Sequence, residues 1–172
     1  MTPVAVLVGA PGAGKSTVGK RLASALGVDF ADSDALVEAE AGMSVSDIFV
    51  TMGEPEFRAR EEETIAKALD ERDGVLALGG GAIMNPSTRE RLQGVPVIWL
   101  DVDLSSAAKR VGMNTARPLL LGDVRGRMLR LMKERAPLYA EVSTITINTS
   151  GMKVREVVEE LVERLRAGGQ DD

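Results

Sequence analysis

Two residue types that carry much of the versatile side-chain chemistry are missing: the 172 residues include no cysteine and no histidine. Without cysteine there is no disulfide, no thiol nucleophile and no sulfur-ligated metal, and a reducing compartment is compatible. Without histidine the usual general base near neutral pH and the commonest metal ligand are gone. Any metal would therefore be a hard, oxygen-liganded cation such as Mg2+. Long apolar runs are absent too; none reaches the roughly 18 residues of a membrane span. The stretch "VAVLVG" near the N-terminus is too short for a signal core and lacks a basic flank. We therefore expect a cytoplasmic protein with no membrane partner. Positive charge is outweighed, with 21 Lys and Arg against 26 Asp and Glu, a formal net charge of −5. That balance argues against a dedicated nucleic-acid binder. There is no internal repeat, no low-complexity tract and no dividing linker, so a single domain over 1–172 is expected.

What is present alternates between short apolar runs and longer amphipathic stretches. Strands are expected at 4–9, 28–32, 74–80, 95–101 and 143–148. Helices are expected at 15–26, 35–41, 45–52, 56–69, 87–93, 104–111, 124–140 and 153–166, with Pro55 at the start of the fourth, where a missing N–H costs little. Continuous apolar strands alternating with helices indicate an α/β fold, a parallel sheet with helices on both faces. Segment 112–123, "GMNTARPLLLGD", fits neither pattern. Its Gly112, Pro118 and Gly122 are candidate hinges, and loops of this length often act as lids.

The sharpest signal is "GAPGAGKST" at 9–17, which matches G-x-x-x-x-G-K-[ST] and lies between an expected strand and an expected helix. Glycines let the backbone curl so that successive N–H groups face phosphate oxygens, and the helix N-terminus adds its dipole. Gly12, Ala13, Gly14, Lys15, Ser16 and Thr17 are the candidate nucleotide contacts. Lys15 carries the charge for the outer phosphates and the Ser16 hydroxyl is a Mg2+ ligand candidate. No guanine-reading Asn/Thr-Lys-x-Asp motif follows, which argues against a GTPase. The strand ending at 80, where many relatives of this fold keep a metal-shell acid, ends in glycines. Acids instead follow the second expected strand, Asp32 and Asp34 in "ADSDAL". One can serve the Mg2+ shell and the other an acceptor hydroxyl, or either can simply cap the next helix.

Two further features ask for a ligand. Arg58, in "GEPEFRAREEE", is either a surface partner of Glu61 or Glu62 or a carboxylate-binding guanidinium held by Glu61. Gly79, Gly80 and Gly81 form a run that loses much backbone entropy on folding. Either the turn needs positive φ, or something must approach a bare backbone. Basic residues gather between Lys109 and Arg135 in an otherwise acidic chain, which suggests a small anionic ligand.

Taken in order, "GAPGAGKST", "DSD" at 32–34, "GEPEFRAREEE" at 53–63, "LGGGA" at 78–82, "RPLL" at 117–120 and "ERAPLY" at 134–139 make the chain resemble the shikimate kinases, most of all their actinobacterial members. The resemblance spans nearly the whole chain. It implies a three-layer P-loop kinase fold of the nucleoside-monophosphate-kinase type, a five-stranded parallel sheet in the order 2-3-1-4-5 with a mobile lid at about 112–123. It also implies ATP-dependent phosphorylation of the 3-hydroxyl of shikimate, on the route to aromatic amino acids. By the same resemblance Asp34, Arg58, Gly79, Gly80, Gly81 and Arg135 would hold shikimate, with a substrate-binding region at about 32–63. Arg117 would be the lid arginine at the ATP phosphates and Arg110 would flank the adenine. Lys15, Asp34 and Arg117 would form the catalytic set, with Ser16 and Asp32 at the Mg2+. A monomer is the default. Two other functions remain to be separated from this one: a gluconate kinase or similar small-metabolite kinase, and a non-catalytic nucleotide-binding module.

Overall fold

The computed structural model describes residues 2–103 and 121–168, and side chains from Gly126 onward in the second part. Five strands form one parallel sheet: β1 Ala5–Val8, β2 Phe30–Asp32, β3 Val75–Ala77, β4 Val97–Asp101 and β5 Ile145–Asn148. Their spatial order is β2-β3-β1-β4-β5, as the resemblance implies. The registers are continuous across the centre: Val6 pairs with Leu76 on one side and Val97 on the other. In β1 and β3 every residue is buried, which is why their sequences read as unbroken apolar runs rather than alternations.

Side chains of successive strand residues feed two cores. Ala5, Leu7, Ala77, Ile98 and Leu100 face one side with Leu22, Val157 and Leu161. Val6, Val8, Leu76, Leu78 and Val97 face the other with Ile65, Leu92 and Tyr139. On that second side the rings of Trp99 and Tyr139 meet with centroids 5.7 Å apart. The helices are α1 Lys15–Leu26, α2 Ser33–Ala41, α3 Val45–Met52, α4 Glu54–Glu71, α5 Pro86–Arg91, α6 Leu121–Val142 and α7 Val154–Gly168. A separate small cluster, Val37, Ile48 and Phe57, packs α2, α3 and α4 together at the β2 edge.

Several boundaries differ from expectation for local reasons. The second helix begins at Ser33, not Ala35, because the Asp32 carboxylate caps it and draws Asp34 into its first turn. The third strand ends at Ala77, three residues early, because the glycines turn away from the ladder. Leu121–Asp123, placed in the expected irregular segment, belong to the backbone of α6. The remainder of that segment, the helix expected at 104–111, Arg110 and Arg117 lie outside the described residues. Among the described residues no helix is long and apolar enough to cross a membrane.

Candidate active site

The site is built at the C-terminal ends of β1, β2 and β3, where an open parallel sheet offers a crevice between its loops. The loop after β1 curls through positive φ at Gly12 and Gly14, 81° and 88°, which a side-chain-bearing residue rarely adopts. Gly9, with φ 154°, also meets a steric limit: a Cβ there would lie 2.8 Å from the carbonyl oxygen of Leu100 on β4. The Lys15 ammonium is drawn back over this loop and donates to the carbonyls of Gly9 at 2.6 Å and Ala10 at 3.2 Å. Burial lowers its pKa to about 8; Arg135 pushes the same way, while Asp34 and Asp32 oppose it.

Asp32 combines both roles open to it in the sequence. Its Oδ1 caps α2 by accepting from the N–H groups of Asp34 at 2.9 Å and Ala35 at 3.3 Å. Its Oδ2 accepts from the Ser16 hydroxyl at 3.0 Å. An oxygen pair bridging β2 and the P-loop is the donor set a hard divalent cation uses, so these two residues fit Mg2+. Asp34 caps nothing. Its carboxyl projects from the first turn of α2, and its pKa is raised, mainly by burial and then by Asp32, with Lys15 and Arg58 opposing.

The three glycines have no positive φ, which excludes the turn explanation. Their constraint is close approach, and each accommodates a different protein side chain. A Cβ on Gly79 would sit 2.8 Å from Asp34 Oδ1 and 3.3 Å from Glu61 Oε2. On Gly80 it would sit 3.2 Å from Arg135 Nη1, and on Gly81 2.6 Å from Arg58 Nη2. The first occupants of that bare backbone are therefore the carboxyl groups of Asp34 and Glu61, the guanidinium groups of Arg58 and Arg135 and the Pro11 ring, a crowding the sequence did not reveal. Among the described residues the N–H groups of Gly80 and Gly81 find no acceptor.

Arg58 is not a solvated surface partner. Its Nη1 donates to Glu61 Oε1 at 2.8 Å, and Glu61 is only 4% exposed. A weaker contact with Glu54 at 3.6 Å and the Phe57 ring, 5.2 Å from the guanidinium carbon, complete its seat. Burial raises the pKa of Glu61 while Arg58 pulls it down. Arg135 reaches the same place from α6, and its Nε is buried without a hydrogen-bond partner among the described residues. Two guanidinium groups, one with an unsatisfied donor, beside free backbone N–H groups make a strong receptor for a carboxylate. A hollow of about 420 Å3 opens beside them, with Glu54, Gly81 and Met84 in its wall. Larger hollows of about 590 and 780 Å3 lie at the opposite end of the sheet near Gly94 and Thr144, and none of these site residues lines them.

The structure thus brings together Lys15, Ser16, Asp32, Asp34, Arg58, Gly79–Gly81 and Arg135. Gly12, Ala13, Gly14 and Thr17 fall in the same P-loop and helix start. Two participants escaped the sequence reading. Ser33 is fully buried and its hydroxyl accepts from the Gly79 N–H at 2.9 Å. The Tyr139 hydroxyl donates to the Gly80 carbonyl at 2.6 Å. Tyr139 was detectable, since it follows Arg135 by four residues and shares its helix face.

Comparison with known proteins identifies the family. The family model described as shikimate kinase matches residues 11–166. A shikimate kinase of Thermobifida fusca is 53% identical over 97% of both chains, and one of Rhodococcus jostii is 51% identical over 96% of this chain and 99% of the other. Among solved structures, a shikimate kinase from Acinetobacter baumannii in complex with shikimate superposes with a TM-score of 0.87 at 34% identity, covering 98% of this chain and 95% of that one. A gluconokinase from Sinorhizobium meliloti, 21% identical with a TM-score of 0.65, shares the fold.

Proposed function

We propose, from the premise that the chain belongs to the shikimate kinase family, that it transfers the γ-phosphoryl group of ATP to the 3-hydroxyl of shikimate, giving shikimate 3-phosphate and ADP. The observation that carries this reading is the meeting of Asp34, Arg58 and Arg135 over the three glycines, next to the P-loop lysine. Shikimate has one carboxylate and three ring hydroxyls. Arg58 and Arg135 hold the carboxylate through planar, charge-assisted contacts, and Glu61 keeps Arg58 from swinging away. The Gly80 and Gly81 N–H groups face ring oxygens.

Asp34 accepts from the attacking hydroxyl and orients it. Its raised pKa makes it a better proton acceptor than an ordinary carboxylate. As the hydroxyl oxygen bonds to the γ-phosphorus, the bond from that phosphorus to the β–γ bridging oxygen breaks and ADP carries away the electron pair. The proton passes to Asp34. Phosphoryl transfer needs alignment and charge stabilisation more than covalent help, so a chain without histidine can perform it. Lys15 exchanges its carbonyl partners for phosphate oxygens. Ser16 and Asp32 would hold Mg2+, which would supply positive charge to offset the negative charge of the phosphates when bound. Arg117 joins the phosphates from the lid and Arg110 flanks the adenine, both on the strength of family resemblance. In this reading the chain acts as a single cytoplasmic domain, and as a monomer.

A coupled assay of ADP release tests the reading against its competitors. Turnover should depend on shikimate and be absent with gluconate or with no acceptor. ATP binding without turnover on any acceptor would instead indicate a nucleotide-binding module.

A further inference from the structure

Ser33 and Tyr139 have no part in the chemistry above, yet both are buried and both spend a hydroxyl on the glycine run. Ser33, between the two acids of "DSD", takes the Gly79 N–H on its Oγ at 2.9 Å. Tyr139, 2% exposed on α6, gives its proton to the Gly80 carbonyl at 2.6 Å. The same dipeptide is therefore gripped at its first N–H and its last C=O, from two elements far apart in sequence.

Such a grip answers a specific weakness. The β3 ladder ends with the Leu78 N–H donating to the Leu7 carbonyl at 3.0 Å. Beyond it lie three residues with no side chain to lock their backbone. The clamp also fixes distances between functional groups. Ser33 is bonded in chain to Asp32 and Asp34. Tyr139 is one turn from Arg135, whose guanidinium lies against Gly80. Burial raises the Tyr139 pKa despite Arg135 beside it, so the hydroxyl keeps the proton it donates.

We propose that Ser33 and Tyr139 are positioning residues whose hydroxyls fix the Gly79–Gly80 peptide, so that the Gly80 and Gly81 N–H groups and Arg135 face a carboxylate-bearing polyol as one preset surface. This builds on shikimate as the acceptor, but the clamp itself is testable without it.

The test uses the full chain with Tyr139→Phe and Ser33→Ala, each assayed by varying shikimate and ATP separately. Each folded variant should raise KM for shikimate about tenfold, the size of one lost buried hydrogen bond, and leave KM for ATP within about twofold. In the free protein, NMR exchange of the Gly79 amide should speed up about tenfold in Tyr139→Phe, which keeps that amide's own acceptor. An unchanged shikimate KM in a folded variant, an equal rise for both substrates, or an unchanged Gly79 exchange rate would overturn the clamp. If the unaltered protein shows no turnover with shikimate, the proposed function fails, while the exchange measurement still decides the clamp. The variants are independent, so loss of one to misfolding leaves the other to decide.

Discussion

At the scale of the residue, the site holds charges where folding alone would not place them. Asp34 is the plainest case. Its pKa lies above the ordinary carboxylate value, so through the titration range the folded chain holds more of this proton than the unfolded one. Its contribution to stability therefore falls as pH rises through that range, and at neutral pH the ionised group is a cost. Asp34→Asn should lower turnover by at least about 100-fold, the usual scale for a general base. Its denaturant midpoint at pH 7 should equal or exceed that of the parent. Lys15 carries the opposite charge and the same logic. Its pKa of about 8 lies below the ordinary 10.5, so between those values the unfolded chain holds the extra proton and stability rises with pH. Lys15→Met lacks this rise. Unfolding midpoints at pH 7.5, 8.5 and 9.5, taken as parent minus variant, should climb with pH in the nucleotide-free protein, and turnover of the variant should be lost.

At the scale of the element, the glycine turn is a set of three sockets with separable functions. Gly79→Ala pushes on the Asp34 carboxyl and should act mainly on kcat, whereas Gly81→Ala pushes on the Arg58 guanidinium and should act mainly on KM for shikimate. The displaced atoms are ends of side chains that can shift, so both variants should fold. Steady-state kinetics on the pair checks the division; the same kinetic defect in both would contradict it. Most elements were legible in the sequence because burial leaves a pattern. Val45–Met52 and Lys15–Leu26 fall where helical spacing puts them. The P-loop, the acids after β2 and the Arg58–Glu61 pair were legible as chemistry. The purpose of each glycine was not, since no local pattern records that Arg135, more than fifty residues away, packs against Gly80. Nor does a lone Ser33 announce a hydrogen bond to a distant backbone, whereas the spacing of Tyr139 from Arg135 gives its helix face but not its partner.

At the scale of the whole molecule, the structure divides into unequal cores. The two sheet faces carry large clusters, while α2, α3 and α4 share a small one, buried at Val37, Ile48 and Phe57 and flanked by partly buried Ala41, Met43 and Val45. Cooperative units with little buried apolar contact open first. Amides of α3 should exchange faster than those of β1 and β3 in the free protein, and shikimate should slow them by tying Arg58 on α4 to its ligand. Hydrogen exchange followed by mass spectrometry checks both halves. A uniform exchange rate across α3 and the central strands would rule the division out.

Trp99 is the single tryptophan of the chain and Tyr139 its single tyrosine, and the two rings touch. Trp99 belongs to β4, whereas Tyr139 sits on the helix that carries Arg135. The protein thus contains its own optical gauge, one indole placed where the sheet packs against that helix. Fluorescence of the unlabelled chain can read the packing of Tyr139 on the sheet in each variant, free of background from any other indole.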